Sequence, residues 1–122
     1  MLRERDLGLL VTAMLSDGDV DEAWETAQGQ QISTYVWDAL AEARRATHPE
    51  DVVPLLEDRI YRTLEPADVR AYRKAVRQLV DLRAVCAQAG LDDHFVELVA
   101  TLRAECSRRP TWIAALDRAG LG

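Results

Sequence analysis

At 122 residues, with 48% apolar and 30% charged side chains, the chain is large enough to fold as one globular domain and is neither disordered nor fibrous. It contains neither an apolar run of the ~20 residues that cross a membrane nor a secretory signal, so we expect a cytoplasmic protein without membrane contact. The net charge of −6 excludes general attraction to nucleic acid, which needs a clustered positive surface.

Apolar residues recur at helical spacing along the first half of the chain, and turn residues divide the pattern into four predicted helices. The first begins near residue 3 and ends at residues 17–19, and the second continues to about residue 28. Ser33 is a suitable N-cap for the third helix. The fourth begins at Pro49 and ends near residue 64, although Pro54 leaves its start uncertain by about a turn because proline lacks the N–H for an internal hydrogen bond.

Three further helices are predicted in the second half. The fifth is the longest, from Pro66 to Ala89, and its wide apolar stripe indicates contact with two neighbours. Gly90 ends it and turns a sixth helix, beginning at Asp92, back alongside it. A short seventh helix follows Pro110 as a terminal cap. No apolar pattern of period two occurs, so strands are not expected.

The predicted fold is therefore all-α, a single domain over residues 1–122 with antiparallel hairpins at about 3–28, 33–64 and 66–108 and a capping helix at 110–119. The order Leu10, Met14, Gly18, Ala23 and Ala27 resembles the small and large residues of a tetratricopeptide (TPR) repeat, and it is kept only in part around Gly90. Two arrangements remain open, a TPR-like stack of hairpins and an irregular helical bundle.

No group of residues in the sequence has the spacing of a catalytic, metal-binding or cofactor-binding site. Cys86 and Cys106 lie on apolar helix faces, which favours two core thiols over the alternative of a redox pair. His48 and His94 have no neighbouring ligands and are interpreted as solvent or cap residues. The three tryptophans are interpreted as core residues, with one exposed interface anchor as the alternative.

One basic stripe on the fifth helix is the candidate binding site. It comprises Arg70, Arg73, Lys74 and Arg77 at three- and four-residue intervals, with Tyr72 beside them. Guanidinium groups bind carboxylate or phosphate, so the stripe could hold an acidic peptide or a nucleic-acid backbone, with Arg59 and Arg62 of the fourth helix available nearby. The alternative is a solvated face whose charges pair with Asp68, Asp81 or the acidic first half of the chain.

The last part of the chain is similar to a known family along a series of helix-packing and helix-ending residues. They are Tyr72-Arg73-Lys74-Ala75, Leu79, Leu82-Arg83, Ala89-Gly90, Phe95, Leu98, Leu102-Arg103, Arg108-Arg109-Pro110, Leu116-Asp117 and Ala119-Gly120-Leu121. This series resembles the helical C-terminal tail that follows the zinc module in bacterial SWIM zinc-finger proteins. The resemblance implies a fragment or stand-alone relative of that tail. The zinc signature, C-x-C followed by C-x-H, is absent, so no metal ligand carries over.

These observations lead to a hypothesis of a non-enzymatic domain that binds an unknown protein or an acidic peptide, with Arg70, Tyr72, Arg73, Lys74 and Arg77 as the contact. The alternative is an accessory nucleic-acid-binding region that uses the same stripe beside a zinc module. A third possibility, a small enzyme, would require a pocket with converging polar groups. Neither the partner nor the oligomeric state follows from the sequence.

Overall fold

The computed structural model describes residues 4–121, and the side chains of residues 6–121. The described part of the chain contains seven α-helices and no strand, which confirms the all-α prediction and its helix count. The helices are α1 Glu4–Ser16, α2 Val20–Ala27, α3 Thr34–Arg45, α4 Pro49–Thr63, α5 Val69–Ala89, α6 Asp92–Glu105 and α7 Pro110–Arg118.

The helices divide between two compact units, Met1–His48 and Pro49–Gly122, where the sequence analysis expects one domain. In the first unit α3 packs against α1 and α2, and in the second α4 packs against α5. The predicted hairpin over residues 33–64 is therefore split between the units. An apolar stripe makes a helix bury one face, but it does not specify which neighbour covers that face.

The core of the first unit, α1 to α3, consists of small and aliphatic side chains. The core cluster of this unit comprises Leu7, Val11, Ala23, Ala27, Ile32 and Leu40. Trp24 and Trp37 pack edge to face beside them, with their ring centroids 6.0 Å apart. The predicted N-cap of α3 is confirmed, since the Ser33 hydroxyl accepts a hydrogen bond from the Val36 N–H at 3.3 Å.

In the second unit α5 is the central helix and packs against α4, α6 and α7. The expectation that it touches at least two neighbours is confirmed. Its core side chains Leu79, Leu82, Val85 and Cys86 are fully buried, and so is Leu102 of α6. Burying such aliphatic side chains contributes roughly 1.5–3 kcal/mol each, which makes this apolar stripe the main source of the unit's stability.

The two ends of α5 show how the sequence sets helix limits. The helix begins at Val69 and not at Pro66 as predicted, because the extended Asp68 accepts a hydrogen bond from the Ala71 N–H at 2.7 Å and so acts as the N-cap. At the other end Gly90 has a φ of +72°, and the Leu91 N–H donates to the Cys86 carbonyl at 2.8 Å. This is the glycine-ended termination that the sequence predicts.

The remaining helix ends lie close to the positions predicted from the sequence. The start of α4 at Pro49 is confirmed, and the helix continues through Pro54, whose ring lies on the exposed side. None of the helices in the described part of the chain combines the length and apolar character needed to cross a membrane. The TPR-like stacking of hairpins stays a prediction.

Candidate functional site

The predicted basic stripe lies on the outside of α5. Arg70, Arg73, Lys74 and Arg77 are all exposed on this helix. Successive residues of an α-helix are rotated by about 100°, so side chains three and four apart share one face. The four cations therefore form a continuous positive surface along about two turns of α5.

Tyr72, the fifth residue of the predicted site, does not belong to that exposed surface. It is only 5% exposed and packs against Trp112, with ring centroids 5.7 Å apart. The reason is helical phase, because Tyr72 falls on the apolar stripe together with Val69, Val76 and Leu79. Its ring is therefore part of the core and is not free to stack on a ligand.

A groove between α5 and α7 adjoins the stripe and has a volume of about 400 Å³. Its apolar lining consists of Val69, Tyr72, Val76, Ala115 and Ala119. Trp112, which is fully buried, fixes α7 against the core and thereby places the two alanines opposite α5. Small residues at these positions of α7 leave the space that forms the groove.

The polar part of the groove lining consists of Thr111 and three arginines. Arg73 and Arg77 come from α5, and Arg118 comes from the last turn of α7. Arg70 and Lys74 lie on the same face of α5 but do not line the groove. Sequence reasoning missed Arg118, because a cation in the last turn of a helix is already explained by its interaction with the helix dipole.

The groove arginines have no ion-pair partner in the part of the chain whose side chains are described. Among the side chains of residues 6–121, none forms an ion pair with Arg73, Arg77 or Arg118. Asp68, one of the proposed partners of the stripe, is used as the N-cap of α5. No acidic residue lines the groove, so the charged groups of its lining are all cationic.

The two arginines of α4 do not join the site. The guanidinium of Arg62 pairs with Asp58 on the same helix at 3.0 Å, and Arg59 is partly buried and has an interaction of its own. The sequence analysis considered both arginines available to the site, but neither lines the groove between α5 and α7. The positive surface is therefore contributed by α5 and α7.

A second apolar groove, of about 360 Å³, lies between α6 and the residues that follow α7. Phe95, Val96 and Leu121 are among its lining residues, together with Arg83 and Arg103. Arg103 is paired with Asp117 at 2.6 Å, which reduces the net charge of this groove. It therefore offers a weaker attraction for an anionic ligand than the groove between α5 and α7.

A small polar cluster that the sequence did not reveal connects α4 and α6. The imidazole Nε2 of His94 contacts the Glu57 carboxylate, so this exposed histidine, as predicted a solvent residue, also has a partner on α4. Burial raises the pKa of the nearby Tyr61 hydroxyl, and Glu105, Glu57 and Cys106 add to the effect. A separation of 37 positions between His94 and Glu57 leaves no local signal of this contact.

The two cysteines differ in their surroundings. Burial raises the pKa of the Cys86 thiol, and the Glu57 and Asp92 carboxylates raise it further, while Cys106 is only partly buried. The prediction of two core thiols is met by Cys86 alone. The Cys86 thiol stays neutral over a wider pH range in the folded than in the unfolded chain, so its contribution to stability is lost as pH rises through the folded pKa.

We therefore expect iodoacetamide to alkylate Cys106 much faster than Cys86 in the native protein. The thiolate is the reactive form, and burial hinders both its formation and the approach of the reagent at Cys86. Mass spectrometry of peptides after timed labelling gives both rates. Labelling in urea is the control in which the two thiols should react alike, and equal rates in the native state would contradict the assignment.

The acidic turn of the first unit offers no comparable site. Asp19, Asp21 and Glu22 line a shallow depression of about 380 Å³, and Asp21 is paired with Arg44. In the part of the chain that the structure describes, no group of three His, Cys, Asp or Glu residues is placed to hold a metal ion. The turn contributes the first residues of α2, where negative charge is favourable.

No family model, no curated protein and no solved structure matches this chain. Fold and site geometry therefore define the class of molecule, an all-helical protein with an apolar groove bordered by three arginines.

Proposed function

We propose that this chain is a non-enzymatic interaction domain that binds an acidic segment of a partner protein through the basic surface of α5. The single observation that carries the proposal is a set of three arginines beside an apolar groove, none of which has an ion-pair partner among the side chains of residues 6–121. Guanidinium groups keep their protons at all physiological pH values, which suits them to binding carboxylates and not to general acid–base catalysis.

Charge and surface character favour a protein over a nucleic acid as the partner. Nucleic-acid binding depends on neutralising many phosphates along a broad positive surface. Here the positive surface is confined to α5 and the end of α7, on a chain whose net charge is −6. The apolar lining beside the arginines gives no advantage for a sugar-phosphate backbone, whereas interface cores of protein complexes are apolar.

The resemblance of the last part of the chain to SWIM zinc-finger tails adds a second element to the proposal. In that setting the domain is the C-terminal region of a larger protein, or a stand-alone relative, and contributes protein contacts beside a nucleic-acid- or protein-binding zinc module. The genomic reading frame upstream of Met1 tests this element. A C-x-C and C-x-H pair encoded there would support it, and a stop codon directly upstream would leave only the stand-alone relative.

The binding proposal is tested with polyglutamate and with single- and double-stranded DNA and RNA as labelled probes. We expect polyglutamate to bind at low salt, and the double variant Arg73→Glu with Arg77→Glu to weaken binding by about tenfold or more, since attraction becomes repulsion at two positions. Microscale thermophoresis gives the dissociation constants. The matched control, Arg62→Glu with Arg108→Glu, changes the net charge equally at exposed positions that line neither apolar groove.

The outcomes separate the two functions. A loss of polyglutamate binding that is specific to the Arg73 and Arg77 variant supports the protein-binding function. Tighter binding of nucleic acid than of polyglutamate, lost in the same variant and falling steeply with salt, would establish the nucleic-acid alternative. If the variant and its control behave alike for every probe, the basic surface of α5 is only solvated and the proposal is wrong.

A further inference from the structure

We infer that the groove between α5 and α7 is the docking site for an amphipathic helix of a partner protein, one that carries an acidic stripe beside an apolar stripe. This inference rests on the proposed function and names the chemistry of its partner. It also extends the site beyond the predicted stripe on α5, because Ala115, Arg118 and Ala119 of α7 supply one of its sides.

Charge complementarity identifies the acidic part of the partner. Arg73, Arg77 and Arg118 all line the groove, no lining residue is acidic, and none of the three has an ion-pair partner among residues 6–121. Each guanidinium can hold a carboxylate with two parallel hydrogen bonds. A ligand with three or more carboxylates on one side would satisfy all of them at once.

The apolar lining identifies the rest of the partner. Val69 is half exposed, and with Val76 and the two α7 alanines it leaves an uncovered apolar surface next to the arginines. A purely acidic segment would leave this surface wet, whereas leucine-like side chains would bury it and add to affinity.

The spacing of the arginines favours a helix as the bound form. Arg73 and Arg77 are separated by one turn, about 6 Å along the axis of α5, which matches carboxylates at positions i and i+4 of a facing helix. A helix also presents an acidic and an apolar stripe side by side on one face. An extended segment alternates its side chains between two faces, so only half of them would reach the groove.

Selection from a display library of helix-forming peptides on the immobilised full chain tests the inference without assuming a sequence. We expect the enriched peptides to combine Asp or Glu at i and i+4 with Leu, Ile, Phe or Met on the neighbouring stripe. Ala115→Phe fills the groove and should weaken these peptides by about tenfold or more, as should Arg118→Glu. The matched controls Ala114→Phe and Arg108→Glu, at exposed positions outside the groove, should change affinity less than about threefold.

Three results would overturn the inference. One is enrichment of peptides that lack the acidic or the apolar stripe. Another is unchanged affinity of the selected peptides for both Ala115→Phe and Arg118→Glu. The third is a salt-sensitive dimer of this chain that dissociates when Arg118 is replaced by Glu. The groove would then bind a second copy of the chain and not a helix of a partner protein. Arg118 is exposed, so its variant keeps the test decisive even if Ala115→Phe fails to fold.

The two proposals fail separately. The double variant Arg73→Glu with Arg77→Glu could abolish polyglutamate binding while Ala115→Phe and Arg118→Glu leave the affinity of the selected peptides unchanged. In that case the basic surface of α5 binds protein and the groove does not. If the double variant of α5 binds polyglutamate as tightly as the unaltered chain does, the proposed function itself is wrong.

Discussion

Replacing Trp112 with alanine is expected to destabilise the second unit by about 3–5 kcal/mol, the cost of removing a large aromatic side chain from a closed core. Trp112 is 0% exposed and is the largest of the fully buried side chains. Its indole nitrogen has no hydrogen-bond partner among the described residues, so the loss comes from packing and the resulting cavity. Tyr72, which packs against it, would lose the surface that holds its ring.

Urea unfolding followed by far-ultraviolet circular dichroism measures this loss of stability. Tyr35→Ala is the matched control, because Tyr35 is an aromatic residue that is 83% exposed and its replacement should change stability by no more than about 0.5 kcal/mol. A cost below about 1 kcal/mol for Trp112→Ala would mean that α7 does not pack as described.

Leu40→Ala should cost the first unit about 2–5 kcal/mol, since Leu40 is 0% exposed on α3 and its removal leaves a cavity among α1, α2 and α3. The same urea titration measures the effect. Leu9→Ala replaces a leucine of α1 that is 63% exposed and should be nearly neutral, because little apolar area returns to water.

The substitution Leu40→Ala also tests whether α3 packs against α1 and α2. If α3 packed mainly by its connection to α4, as the predicted hairpin over residues 33–64 implies, Leu40 would not be enclosed by α1 and α2. Similar small effects of Leu40→Ala and Leu9→Ala would contradict the core of the first unit.

Helix positions were predictable because they depend on neighbours in the sequence. Ser33, Pro49, Gly90 and Pro110 each have a local conformational preference, and the structure places a helix end at or beside every one of them. The start of α5 was missed by three positions because Pro66 and Asp68 both suit a helix start, and the carboxylate accepts the Ala71 hydrogen bond. Local rules give candidates, and hydrogen bonding selects among them.

The arrangement of the helices and half of the candidate site could not be predicted in this way. Periodicity placed Arg73 and Arg77 on one face of α5, but it could not show that Arg118 lies across a groove from them, 41 positions beyond Arg77 in the sequence. Tyr72 is different, because its helical phase alone places it on the apolar stripe of α5 and away from the cations beside it in the sequence. The position of Arg118 depends on how α7 packs, and the sequence of α7 does not show which helix it contacts.

The contact between Tyr72 and Trp112 gives the protein an intrinsic optical probe. Tyr72 lines the groove and touches the indole of Trp112, while Trp24 and Trp37 belong to the other unit. With those two replaced by phenylalanine, the tryptophan emission of the protein would come from one indole, which packs against a residue of the groove lining. Occupancy could then be followed in solution without attaching a dye, through the contact between Tyr72 and Trp112.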